Sequence, residues 1–147
     1  MPAIDTNVLV RLITRDDARQ ATAAERFVEH GAWVSVVVLV EAAWVLSTVY
    51  ELSAKDLAKA IEMLLHHRDL VIQDAEAVAG ALELFREKPA LGFSDCLILH
   101  LARKTGHLPL GTFDRRLAKV EGARKLQPAQ PTSPPSTPQP RSPRRQS

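Results

Sequence analysis

Four carboxylates stand where their surroundings point to chemistry: Asp5, Glu41, Asp95 and Asp114. Asp5 ends a short stretch, Pro2-Ala3-Ile4, that reads as a strand. Asp95 follows Ser94, a cap residue ahead of a helical pattern, and Asp114 follows the largely apolar stretch Leu108 to Phe113. Glu41 lies between Val37-Val38-Leu39-Val40 and Ala42-Ala43-Trp44, where a simply solvated glutamate is unexpected. If one pocket gathers these acids, they repel one another and take up protons unless a cation neutralises them. Hard oxygen ligands with no nearby Cys or His set select Mg²⁺ or Mn²⁺ over zinc. Such a site suits hydrolysis of a phosphodiester, the ion activating water and offsetting the charge of the pentacoordinate state. Each acid also has a plainer reading: Asp5 and Asp114 as turn or cap residues, Asp95 as a complement to a helix dipole.

Gathering the acids requires a particular kind of scaffold. Short strand candidates fall at Pro2 to Asp5, Ala32 to Val34, Leu70 to Ile72, Leu108 to Phe113 and Arg124 to Leu126. Helical patterns separate them: Thr6 to Ile13, Asp17 to Glu29, about 36 to Tyr50 with Ser35 as cap, and Ser53 to His67 with an apolar stripe at Leu57, Ile61, Leu64 and Leu65. Two more follow, one capped by Asp74 and running to about Lys88, the other capped by Ser94 and ended by Gly106. Strands alternating with helices of this length predict parallel βαβ units and an α/β fold, a three-layer α/β/α sandwich around a mostly parallel four- or five-stranded sheet. In such sheets the carboxyl ends of the strands and the N-termini of the helices share one edge, where ligands bind.

Composition predicts a single domain over residues 1–126 and a disordered proline-rich tail over 127–147. The tail holds seven of the ten prolines, three arginines and no acid. Those arginines account for the excess of 19 basic over 17 acidic residues, so the domain itself is nearly neutral and its net charge names no partner. The single cysteine, Cys96, excludes an internal disulfide and fits a reducing, cytoplasmic compartment. No apolar run approaches the ~18 residues of a membrane span. Cys96 and His100 are four apart on one helix, but two ligands make no zinc site, and the cysteine reads as core filler.

Ala3-Ile4-Asp5-Thr6-Asn7-Val8-Leu9, Val40-Glu41, Phe93-Ser94-Asp95 and Thr112-Phe113-Asp114 resemble the PIN-domain nucleases, and most of all the VapC toxins of toxin–antitoxin pairs. The resemblance covers residues 1–126. It implies Mg²⁺- or Mn²⁺-dependent endonucleolytic cleavage of RNA to 5′-phosphate and 3′-hydroxyl ends, with Asp5, Glu41, Asp95 and Asp114 holding the metal. It further implies support from Asn7 and Thr112, a homodimer, and a small antitoxin docked near the site. Arg11, Arg15, Arg115 and Arg116 flank the acids in sequence and are candidates for phosphate contacts. Some relatives carry a further acid where Arg116 stands, which puts a full second-metal site in doubt. Two other readings are a non-catalytic PIN-fold module that binds RNA or protein, and a metal-dependent phosphatase. The phosphatase is disfavoured because a haloacid-dehalogenase-type site wants an aspartate at position 7, where Asn7 stands.

Overall fold

A computed structural model describes residues 1–131. The expected tail therefore lies outside the described residues from 132 onward. Helix α1 spans Thr6–Thr14 and α2 Ala18–Val28. Strand β1 (Ala32–Val34) is followed by α3 (Val36–Thr48) and α4 (Ala54–Leu65). Strand β2 (Leu70–Ile72) is followed by α5 (Ala75–Glu87), a 3-10 turn at Pro89–Leu91 and α6 (Phe93–Lys104). Strand β3 (Leu110–Thr112), a second 3-10 turn at Leu117–Lys119 and β4 (Ala123–Lys125) complete an α/β chain.

All strand pairs are parallel, as the alternation of strands and helices requires. β1 pairs with β2 in the register Trp33 to Val71, and β3 pairs with β4 in the register Gly111 to Arg124. Among the described residues these make two two-stranded sheets. The expected first strand is reduced to one bridge, Ala3 to Trp33, held by Ile4 N–H to the Trp33 carbonyl (3.1 Å) and Trp33 N–H to the Pro2 carbonyl (2.8 Å). It is too short for a ladder because Asp5 already begins a helix.

Local sequence explains most helix starts. Asp5, Asp17, Ser35 and Ser53 each cap a helix by accepting the N–H three residues on, at 3.0–3.1 Å. Two expected caps fail. Asp74 sits in the left-handed region (φ 51°) and makes no side-chain cap; its carboxylate instead accepts from Lys104 Nζ at 2.7 Å. Ser94 lies inside α6, whose cap position is Gly92 at φ 80°, a conformation glycine adopts without strain. Asp95 is therefore the third residue of the helix.

The core forms where the helices meet one another and the strands. Leu9, Val34, Leu39, Leu46, Ile61, Val78, Leu97 and Leu99 are fully buried, and so is Cys96, as expected of core filler. Helix α3 is central and packs on α1, α4 and α6, while α5 packs on α4 and α6. The α5–α6 approach is close: a Cβ on Gly80 would stand 2.6 Å from the His100 ring. Gly80→Ala is expected to destabilise the protein, because the ring must move. In a His100→Ala background the same change is expected to raise stability by up to about 1 kcal/mol, the usual helix preference for alanine over glycine. Urea unfolding of the four proteins checks this; additive effects would contradict it.

Candidate active site

Asp5, Asp95 and Asp114 occupy element ends, and local bonding places the first and the last of them. Asp5 is extended and closes the first turn of α1 through the Val8 N–H (3.1 Å). Asp114 follows β3. Its Oδ1 accepts from the Arg116 and Leu117 N–H groups, both at 2.8 Å, and its own N–H donates to Thr112 Oγ1 at 3.0 Å. The Thr112 hydroxyl thus fixes the backbone of Asp114. Asp95 stands in the first turn of α6, where the helix dipole favours the charged form. Burial nevertheless raises its pKa above the ordinary carboxylate value, and the nearby Asp114 carboxylate raises it further. Two acids are therefore held in each other's field.

Glu41 corrects an expectation. Flanked by apolar residues in sequence, it is nonetheless exposed. The core face of α3 is Leu39, Ala42, Ala43 and Leu46, while Val37, Glu41 and Trp44 form the opposite stripe at helical spacing. Val37 and Trp44 are themselves 70% and 62% exposed, so an apolar neighbourhood in sequence did not mean burial. Glu41 lies on the rim of an apolar groove of about 750 Å³ between α3 and α6, which Ser94, the residue before Asp95, also lines.

None of the four acids forms an ion pair among the described residues. Within those residues no three acids, histidines or cysteines cluster closely enough to cage a metal ion. Mg²⁺ commonly binds through one or two carboxylates together with water and substrate phosphate, a donor chemistry that Asp95 and Asp114 offer.

The arginines divide into two kinds. Arg11 is engaged: Nε donates to Gln20 Oε1 (2.6 Å), and Nη1 donates to Asp16 Oδ1 (3.0 Å) and the Tyr50 hydroxyl (2.8 Å). Arg15 pairs with Glu25. Arg115 and Arg116 are exposed beside Asp114. Asn7 is exposed on the first turn of α1, where it lines a cleft with Asp5, Gln20 and Phe27. Gln20 and Phe27 were not anticipated, since only the packing of α2 on α1 brings them near Asp5.

The PIN domain family profile matches residues 3–123. The chain belongs to the PIN domain family. PIN domains are generally metal-dependent nuclease modules that act on the phosphodiester bonds of nucleic acids. No curated protein and no solved structure gives a significant match. In this PIN domain the matched span runs from the bridge residue Ala3 to the first residue of β4, so all four acids fall within it. No helix among the described residues is long and apolar enough to cross a membrane.

The Arg11 knot carries a pH signature. The Tyr50 hydroxyl (2.7 Å) chiefly, then the Thr14 hydroxyl and Arg11, hold the Asp16 carboxyl below its ordinary pKa. A depressed folded-state pKa contributes stability above the unfolded value, about 3.9, and that contribution is lost as pH falls through the lower folded value. Tyr50→Phe is expected to be less stable than the parent at neutral pH, with the gap closing below about pH 4. Denaturant midpoints measured from pH 7 to pH 2 check this; a constant gap would contradict it.

Proposed function

We propose that this PIN domain is a divalent-metal-dependent endoribonuclease of the VapC toxin type, cleaving RNA to 5′-phosphate and 3′-hydroxyl ends. The observation that carries the reading is Asp95, half-buried in the first turn of α6 and in the field of the Asp114 carboxylate, with neither acid in an ion pair among the described residues. Structural acids at helix and turn starts do not need such a neighbour, whereas a metal site does. Asp95 and Asp114 would hold Mg²⁺ or Mn²⁺, with Asp5 and Glu41 completing the acidic set around substrate. When bound, the ion lowers the pKa of a water and offsets the charge that develops on the phosphate.

The chain's own groups supply position. The Asp114 carboxylate is oriented by the Arg116 and Leu117 N–H groups, and its backbone by Thr112. Arg115 and Arg116, exposed beside it, would meet phosphate oxygens of the strand. Asn7 stands on the cleft side of Asp5 as a hydrogen-bonding support. Arg11 is held in place through Nε and Nη1 by Gln20, Asp16 and Tyr50, while Arg15 is held by Glu25.

The same reading includes a cytoplasmic homodimer and a small antitoxin docked near the acids. Support for a partner surface is the exposed stripe of Val37 and Trp44 on α3 with Ile98 (49% exposed) on α6, along one apolar groove. Contiguous apolar surface of this kind marks association sites.

One observation favours a second reading, a non-catalytic PIN-fold module that binds RNA or protein: no three acids cluster among the described residues. A cleavage assay separates the two. Purified protein with Mn²⁺ or Mg²⁺ is expected to cut total cellular RNA into discrete fragments bearing 5′-phosphates. EDTA treatment and Asp5→Asn are each expected to reduce the rate at least about a hundredfold, the scale of losing one electrostatic group from a catalytic site. Intact RNA with the metal-loaded parent protein would favour the binding module.

A further inference from the structure

Beside Asp5 runs a cleft of about 510 Å³ between α1 and α2. The two helices are joined by only three residues, Arg15 to Asp17, and lie side by side as a hairpin. Arg11 meets Gln20 across it, so Phe27, two turns further along α2, comes back toward Asp5 and Asn7 at the start of α1. Gln20, Ala24 and Phe27 share one face of α2 by their spacing of four and seven. Alanine at 23 and 24 leaves the middle of the cleft open, and the Phe27 ring is 54% exposed. An aromatic face thus stands next to a candidate catalytic acid.

The polar side of the cleft is arranged to donate. Arginine has only N–H donors, so the Gln20 atom that meets Arg11 Nε at 2.6 Å must be the carbonyl oxygen. Gln20 is exposed, and its amide N–H₂ is left to donate. Arg11 Nη1 is committed to Asp16 and Tyr50, and Nη2 has no partner among the described residues. Both donors are fixed in place by the same knot. Carbonyl oxygens on a base edge are what such donors recognise.

We propose that this cleft is a nucleobase subsite: it takes one unpaired base of an RNA strand, stacked on Phe27, with its carbonyl oxygens toward Gln20 and Arg11. This places the neighbouring phosphate at Asp5, and it rests on the nuclease reading for the identity of that strand as substrate. A base offers both in one rigid plane, a face for the ring to stack on and carbonyl oxygens on its edge for the donors. Phe27 acts as a specificity-determining contact, and Gln20 and Arg11 as its hydrogen-bonding wall.

The test uses the full chain in EDTA, so that binding is read without cleavage. Fluorescence anisotropy is measured with labelled heptauridylate, heptaadenylate and an abasic heptamer of the same length. The parent is expected to bind heptauridylate more tightly than the other two. Phe27→Ala is expected to weaken heptauridylate about five- to a hundredfold, the range for losing one stacked base, with abasic binding unchanged and Phe27→Tyr restoring affinity. The proposal is overturned if Phe27→Ala binds heptauridylate like the parent, if it weakens the abasic strand equally, or if heptaadenylate binds as tightly as heptauridylate. The expected binding pattern together with no cleavage in Mn²⁺ would keep the subsite and reject the nuclease reading alone. Cleavage with unchanged KM and cut sites in Phe27→Ala would reject the subsite alone.

Discussion

Parallel strand pairing is the constraint from which the rest of this molecule follows. A parallel neighbour cannot be reached by a tight turn, so each pair needs a crossover, here α3 and α4 between β1 and β2 and a 3-10 turn between β3 and β4. Every strand then delivers its carboxyl end to the same edge of its sheet. The Ala3–Trp33 bridge and the β1–β2 ladder put Asp5, Ser35 and Gln73 at corresponding ends. The crossing is tightened by side chains: the Gln73 amide oxygen accepts the Val36 N–H at 2.9 Å, tying the end of β2 to the start of α3. Helix N-termini with unsatisfied N–H groups collect along that edge, which suits anionic ligands.

The acids at such an edge carry opposing obligations. Asp5 and Asp114 also have a structural duty, since each satisfies backbone N–H groups that otherwise lack partners. Asp95 has no such bond among the described residues, and its helix dipole works in its favour while burial and Asp114 work against it. The raised pKa shows which influence wins. A carboxylate held in unfavourable surroundings beside a like charge is a functional expense rather than a structural gain, and it becomes intelligible if a cation is the missing partner. Burial and the neighbouring Asp95 charge also push the adjacent Cys96 thiol up to about 11, which keeps it protonated and inert in the core.

Much of this was readable from the sequence because the signals are local. The cap at Ser35, the helix start at Ser53 and the apolar stripe of α4 are decided within a few residues, and the structure agrees with them. The failures share a cause in distant contacts. Asp74 gives up a cap for Lys104, thirty positions away. Ser94 cedes the start of α6 to Gly92 because the preceding 3-10 turn ends there. Glu41 sits in a run so uniformly apolar that no periodicity distinguishes the buried face of α3 from the exposed one; only the packing of α1, α4 and α6 on that helix does so. The Arg11 knot reaches Tyr50 across 39 positions, and Phe27 reaches the vicinity of Asp5 only through a helix hairpin. Four acids in the right order could be picked out, but their mutual distances could not.

The central claim is that Asp95 and Asp114 together bind a divalent cation. Titration of the apo protein with Mn²⁺, followed by electron paramagnetic resonance of the free ion, tests it without depending on any substrate. The double variant Asp95→Asn with Asp114→Asn is the comparison, since an asparagine oxygen at 114 can still accept the Arg116 and Leu117 N–H groups. The account predicts at least one Mn²⁺ bound by the parent and a loss of affinity of tenfold or more, about 1.4 kcal/mol, in a variant whose circular dichroism is unchanged. Equal Mn²⁺ binding by the two proteins, or none by the parent, would contradict it.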